Sequence, residues 1–518
     1  MILGDPAEAT PAALTGHLSI DEVFRRIAAR QPDALALCDP PNREAFTDGA
    51  PRRFTYAAAE LAVAATAARL RSMALPPDSV VGIQLPNIAE NILTTLGVLQ
   101  AGMIAAPLPL LWRRADAVAA LSRVGAKALI TCGRVGAFDH GHLARQIAAE
   151  VFSIRYVCSF GASLPDGVVT LDGVFTAAEP ETTDREPRSN AAAHVAAITF
   201  DIDAEGVIAV ARSHAELLAG GLGVLLESRL AERTTMLSAV LPSSFAGISV
   251  TLAPWLLSGS ALLLHQPFDV DVFVRQRRER RCETLILPGP VAASLAGIDV
   301  SAALAPSRVI ASWHSPELVA ESEVLRGPAA IFIDVSSFGE AAAVPARRGS
   351  SGRPCPLALG AVTTPTGSAG GIAIAELART EAGTLAARGA MVPRHAYPPG
   401  AEQSGLPCFE IGPAGLVDTG YPCRVDSVTG ALSITGRPAG IVSVGGYRFP
   451  QRELADRVGR ADGDAKLAAL PDPLLGQRLI GNAADRRMMA AVLAVAGLNP
   501  LLAGAFRDRS RRGTSAAA

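Results

Sequence analysis

The chain has 518 residues, enough for one large domain and a smaller one. Hydrophobic residues make up 49% and charged residues 19%, a balance that excludes a disordered chain. A formal net charge of −2 leaves no basic field for nucleic acid, and the densest basic run, 275–281, reads as the solvated face of a helix.

From the start of the chain, MILGDPAEATPAAL shows neither a basic n-region nor an apolar h-region, so no signal peptide is expected. β-branched apolar runs at 80–85 and 103–107 flank a helical pattern at 88–100. The rhythm recurs at 127–131, 196–200, 236–241, 261–265, 284–287, 308–311 and 330–335, with helical patterns between most of them. Such alternation predicts parallel sheets covered by helices. Residues 179–190 are charged, contain proline and lack periodicity, which predicts a surface loop. After about Leu357 the segments shorten and fill with Gly and Pro, which predicts antiparallel strands with long turns.

The expected class is α/β: a large N-terminal domain of helix-covered parallel sheets with a distorted antiparallel part, and a small α+β C-terminal domain. The boundary is placed near Gly436, giving 1–435 and 436–518. Residues 488–506 carry no charge and approach the length of a membrane span. They are rich in Ala and Gly and broken by Asn499-Pro500, so a buried helix–turn–helix is expected and no span. Seven dispersed cysteines (38, 132, 158, 282, 355, 408 and 423) form no CxxC pair, which points to reduced thiols, a cytoplasmic setting and no metal site.

Ordered segments carry a resemblance. They begin with 20–30, PDALALCD, FTYAAAELAVAATAARL and DSVVGIQLPNIAENILTTLGVLQAGMIAAPLPL. LPSSFAGISVTLAPWLLSGSALLLHQPFD, SSFGEAA, EAGTLAARG, LVDTG and GALSITGRPAGIVSVGGYRFPQREL follow. Over 19 to about 475 the chain resembles the adenylate-forming superfamily of AMP-dependent synthetases and ligases, of the acyl-CoA synthetase type. That resemblance implies carboxylate activation by ATP and Mg²⁺ to an acyl-AMP, then transfer to CoA or a carrier thiol. It also implies phosphate donors, a metal-holding carboxylate and a lysine on a mobile C-terminal domain.

Position by position, the nucleotide side departs from the family. Anchored on Ser213-His214, the phosphate loop falls on ITFDIDAEGVIAVARSH. Asp201, Asp203 and Glu205 stand where donors belong, and Ile208 stands at the lysine position. Three carboxylates there would repel a triphosphate by roughly several kcal/mol. In the aromatic-Gly-x-Thr-Glu motif, Phe338 and Gly339 survive while Ala341 and Ala342 replace Thr and Glu. Glu340, two positions away, is left as a weak candidate ligand. The ribose motif Thr-Gly-Asp becomes Thr419-Gly420-Tyr421, and Asp426 matches a different family acid just downstream. The hinge motif keeps Arg437, with Gly440 in place of its Asp. The region after Gly446 looks truncated: the family's final lysine has no counterpart, and Lys466 lies upstream of its place.

Phe245, Gly247, Trp313 and Phe338 are the candidate lining of an acyl pocket, with Trp313 filling part of it or serving as a packing residue. His214 and His314 read as structural. No catalytic residue, metal site or bound cofactor is assigned. The leading expectation is a degenerate ligase with little or no adenylation, binding an acyl or aromatic carboxylate or a partner. The alternatives are a working carboxylate–CoA ligase with unusual nucleotide handling, and a scaffold or regulatory subunit of an acyl-processing pathway such as fatty acid metabolism. Expected partners include a carrier protein or an active ligase, but no nucleic acid.

Overall fold

The computed structural model describes residues 18–176, 190–297, 308–322, 331–366 and 370–507. The loop expected at 179–190 lies, but for Asn190, outside the described residues. Every strand-like run named above is found as a strand, to within a few residues at its ends.

Two large sheets form the N-terminal part. The eight-stranded sheet runs Ala342–Arg347, Ile331–Phe338, Arg308–Trp313, Thr284–Pro288, Thr235–Ser238, Ala261–Leu264, Leu35–Cys38 and Arg53–Thr55. It is parallel between Ile331–Phe338 and Leu35–Cys38 and antiparallel at both edges. The seven-stranded sheet runs Gly206–Ser213, Val195–Asp203, Ile104–Pro107, Val80–Ile83, Ala128–Cys132, Tyr156–Phe160 and Val169–Thr170. Its central strands Val80–Ile83 and Ile104–Pro107 are four residues of apolar sequence, buried throughout because helices cover both faces. Helices Tyr56–Ser72, Ala89–Gln100 and His214–Ser228 share one core with strands of both sheets.

A six-stranded antiparallel sheet follows, built from Leu357–Ala358, Gly360–Thr366, Gly370–Arg379, Thr384–Arg388, Val417–Val425 and Ala431–Ile434. This is the antiparallel part that the Gly/Pro-rich segments predict. Beyond it stand two hairpins, Ile441–Val444 with Tyr447–Pro450 and Lys466–Asp472 with Gly476–Asn482. They pack with helices Gln451–Ala461, Arg486–Val495 and Pro500–Gly504 around a separate small core. The uncharged 488–506 stretch is thus a helix–turn–helix, with Met489, Leu493, Leu502 and Phe506 buried. No helix among the described residues is long and apolar enough to cross a membrane.

Candidate functional site

Local sequence explains the segment where the phosphate loop is expected. Val195–Asp203 and Gly206–Ser213 pair antiparallel in register as far as Asp203 opposite Gly206, so only Ala204 and Glu205 remain as a turn. The Asp203 carboxylate closes that turn by accepting from Glu205 N at 2.8 Å and Gly206 N at 2.9 Å. Ile208 is buried in the hairpin, directly opposite Asp201. At its far end Ser213 caps the next helix, accepting from Glu216 N at 3.2 Å, while Glu216 returns to Ser213 N at 2.8 Å. His214 Nδ1 accepts from Ile20 N at 3.1 Å, a structural contact.

Asp201 is the centre of a buried polar cluster. Its Oδ2 accepts from Glu340 N at 2.8 Å and its Oδ1 accepts from Arg448 Nη1 at 2.6 Å. Arg448 also donates from Nη2 to the Tyr421 hydroxyl at 2.5 Å. Tyr421 is itself buried, edge-on to Phe338 with ring centroids 5.5 Å apart. Gly339 turns the chain beside this cluster with φ +56, and a Cβ there would lie 2.2 Å from Asp201 Oδ2. Burial raises the Tyr421 hydroxyl's pKa, so it stays protonated.

Glu340 faces inward. Its Oε2 accepts from Phe245 N at 2.8 Å, and burial, then the Asp201 charge, push its pKa up to about 7. Arg212, fully buried, donates to the carbonyls of Met391, Glu340 and Ala341 and lies over the Phe245 ring, 3.5 Å from its centroid. Arg212 therefore pins the Phe338–Ala342 turn to the hairpin. Among the described residues no group of three or more His, Cys, Asp or Glu side chains is placed to hold a metal ion.

The remaining predicted site residues are placed as follows. Phe245, Trp313 and Phe338 are all buried. Trp313 covers Gly289, where a Cβ would lie 2.2 Å from the indole, and Gly247 packs so that a Cβ would meet Leu241 O at 2.3 Å. Thr419 Oγ1 donates to Leu385 O at 2.7 Å, and Gly420 turns with φ +71. Arg437 pairs with Glu317 at 2.8 Å and donates to Gly476 O at 3.3 Å. Asp426 organises its own exposed turn through Val428 N and Thr429 N. Lys466 is exposed on the second hairpin. Two cavities lie elsewhere: one of about 630 Å³ bordered by Arg52, Arg53, Phe54 and Phe175, and one of about 190 Å³ bordered by Arg43, Asp48 and Cys132.

Residues 24–316 match the model of the AMP-binding enzyme family. The chain belongs to that family. Among its relatives, 2-hydroxy-7-methoxy-5-methyl-1-naphthoate–CoA ligase of Streptomyces carzinostaticus is 25% identical over 487 residues, 87% of this chain and 81% of the relative. The amide bond synthetase McbA of Marinactinospora thermotolerans shares its fold with a TM-score of 0.70 at 17% identity, covering 93% of this chain and 94% of McbA. The anthranilate–CoA ligase AuaEII, solved with anthranoyl-AMP, aligns with a TM-score of 0.64 at 14% identity over 90% of this chain and 86% of its own. The AMP-binding fold assigned from motif order is therefore present.

Arg212 and Arg448 carry no role among the motif positions named above. Arg212 left a faint signal, a charge on the same strand face as buried Ile208 and Val210. Tyr421 was legible only as a missing acid, and Arg448 as an ordinary position in GGYRFP.

Proposed function

We propose that this member of the AMP-binding family does not adenylate, and that it serves an acyl-processing system as a non-catalytic partner protein of the cytoplasm. The observation that carries this reading is the 195–213 hairpin. The two strands pair up to a two-residue turn, and the amides of Glu205 and Gly206 at that turn are taken by the Asp203 carboxylate, so the segment is a closed hairpin rather than an open loop around phosphates. Two of its three acidic side chains are engaged as well, Asp201 by Arg448 and Asp203 by its own turn. The residues present do not fit a magnesium-bound triphosphate, and no chemical step is routed through one. Residues 436–518 are the counterpart of the family's C-terminal lid in this reading, and no lysine there stands in the family's final position.

A second reading keeps a ligand. The match to a naphthoate–CoA ligase over 487 residues favours an aromatic carboxylate bound beside Phe245, Trp313 and Phe338, in the manner of a binding protein.

ATP–pyrophosphate exchange with a panel of aromatic and fatty acids tests the main reading, together with calorimetry of Mg-ATP. We expect no exchange above background and no heat of binding at millimolar nucleotide. Exchange with any acid, or micromolar Mg-ATP binding, overturns it. A thermal-shift screen of the same acids tests the second reading, which requires a rise in melting temperature that grows with ligand concentration.

A further inference from the structure

The hairpin of Ile441–Val444 and Tyr447–Pro450 reaches from the C-terminal region into the rest of the chain. Ile441 is buried in the core of the seven-stranded sheet, and Tyr447 packs against the same core. The Tyr447 hydroxyl accepts from Leu111 N at 3.2 Å. From this seat Arg448 extends to Asp201 and Tyr421. Close packing surrounds the approach: a Cβ on Gly339 would lie 2.8 Å from Arg448 Nη1, and one on Gly446 would lie 3.0 Å from His314 Cδ2. At the hinge position, a Cβ on Gly440 would lie 3.2 Å from Ala204 Cβ in the turn of the 195–213 hairpin. A second seam joins the far end of the region, where Ala115 N donates to Gly497 O at 3.0 Å.

The side chains of Arg448 and Asp201 are 13% and 7% exposed. Separating them would leave two charges poorly solvated unless water floods the seam, so the pair resists opening more than a surface pair does. Burial alone would loosen the proton on Arg448; Asp201 and the Tyr421 oxygen outweigh it, and the guanidinium stays charged.

We propose that Asp201, Tyr421 and Arg448 form an internal latch that holds residues 436–507 shut against the N-terminal sheets. The region that family resemblance makes a mobile lid is held in one position by its own arginine. This rests on the proposed function only in taking Asp201 out of service to a nucleotide, and the two readings are measured separately.

Hydrogen–deuterium exchange on the full chain tests the latch at the seam itself. The amides of Leu111 and Ala115 have their acceptors on the C-terminal region, so their exchange reports undocking. In Arg448→Met and in Asp201→Asn, peptides spanning 110–116 should exchange at least tenfold faster than in wild type. Peptides within 466–482 and 80–83 should be unchanged, showing that both parts stay folded. The charge-exchanged double variant, Asp201→Arg with Arg448→Asp, should recover a substantial part of the protection. The latch is overturned if wild-type 110–116 exchanges as fast as an unprotected peptide, or if neither single variant changes it. Should a single variant unfold, the charge-exchanged chain decides: folded but unprotected at 110–116, it overturns the latch. Mg-ATP binding to the wild type would sink the proposed function and leave this readout standing.

Discussion

The indole Nε1 of Trp313 donates to the carboxylate of Asp334 at 2.8 Å, across two neighbouring parallel strands. Arg348 holds the same carboxylate through Nε at 2.8 Å and Nη2 at 2.9 Å. The indole is therefore fixed at both its polar edge and its face, which rests on Gly289.

Replacing Trp313 by Gly should cost about 3–5 kcal/mol, the range for deleting a large buried aromatic. Urea denaturation measures it. The space left is bounded by apolar side chains with the Asp334–Arg348 pair at one edge, and on the second reading naphthoate or benzoate should raise the melting temperature of Trp313→Gly more than that of the wild type. Equal shifts in both proteins would place the ligand elsewhere.

Glu340 makes stability depend on pH in a direction opposite to most carboxylates. Burial, then Asp201, raise its pKa from 4.5 to about 7, so the folded chain holds this proton more tightly than the unfolded one. Stability is lost as pH rises from about 4.5 through about 7, on the order of 3 kcal/mol from this group. Glu340→Gln keeps an acceptor for Phe245 N and cannot ionise. The stability difference between variant and wild type should move in the variant's favour from pH 5 to pH 8, and a difference independent of pH would refute the assignment.

Arg43 sits almost fully buried between the carboxylates of Asp39 and Glu90, with Arg52 Nη1 adding a bond to Glu90 at 3.1 Å. Arg43→Met leaves two buried acids facing one partly exposed arginine. The expected loss is roughly 3–5 kcal/mol. Arg43→Met combined with Glu90→Gln should lose less than the sum of the two single changes, as a double-mutant cycle in denaturant would show.

Gly446 has φ +87, and a Cβ there would crowd the His314 ring at 3.0 Å. Gly446→Ala should cost roughly 1–3 kcal/mol through backbone strain and this contact. Gly459, on helix Gln451–Ala461 with nothing within 4 Å of a Cβ, is the control: Gly459→Ala should be neutral or stabilising by less than about 1 kcal/mol.

The parallel sheets were legible because their strands are buried on both faces and read as short apolar runs. The 488–506 helix–turn–helix was legible because Asn499-Pro500 marks a turn and the next helix start. The hairpin at 195–213 was half legible. Aligning it with a phosphate loop placed a loop over ITFDIDAEGVIAVARSH, although Asp203 and Gly206 bracketing two residues already spell a turn. The polar cluster was not legible. Asp201 and Arg448 are 247 positions apart, and no local pattern couples them. Against the family motifs each substitution reads as a loss, whereas in the fold Asp201 and Tyr421 satisfy one arginine together.

The small core formed by residues such as Val444, Phe449, Leu454, Leu493 and Phe506 has a thermal consequence. A unit of that size, left on a swivel, gains little from its own burial and would melt ahead of the larger body. Stitched to it at Leu111, Ala115, Asp201 and Glu317, it should surrender its structure together with the sheets beneath. Scanning calorimetry should then trace one endotherm for the whole molecule, and the Arg448→Met chain should show a second, earlier shoulder.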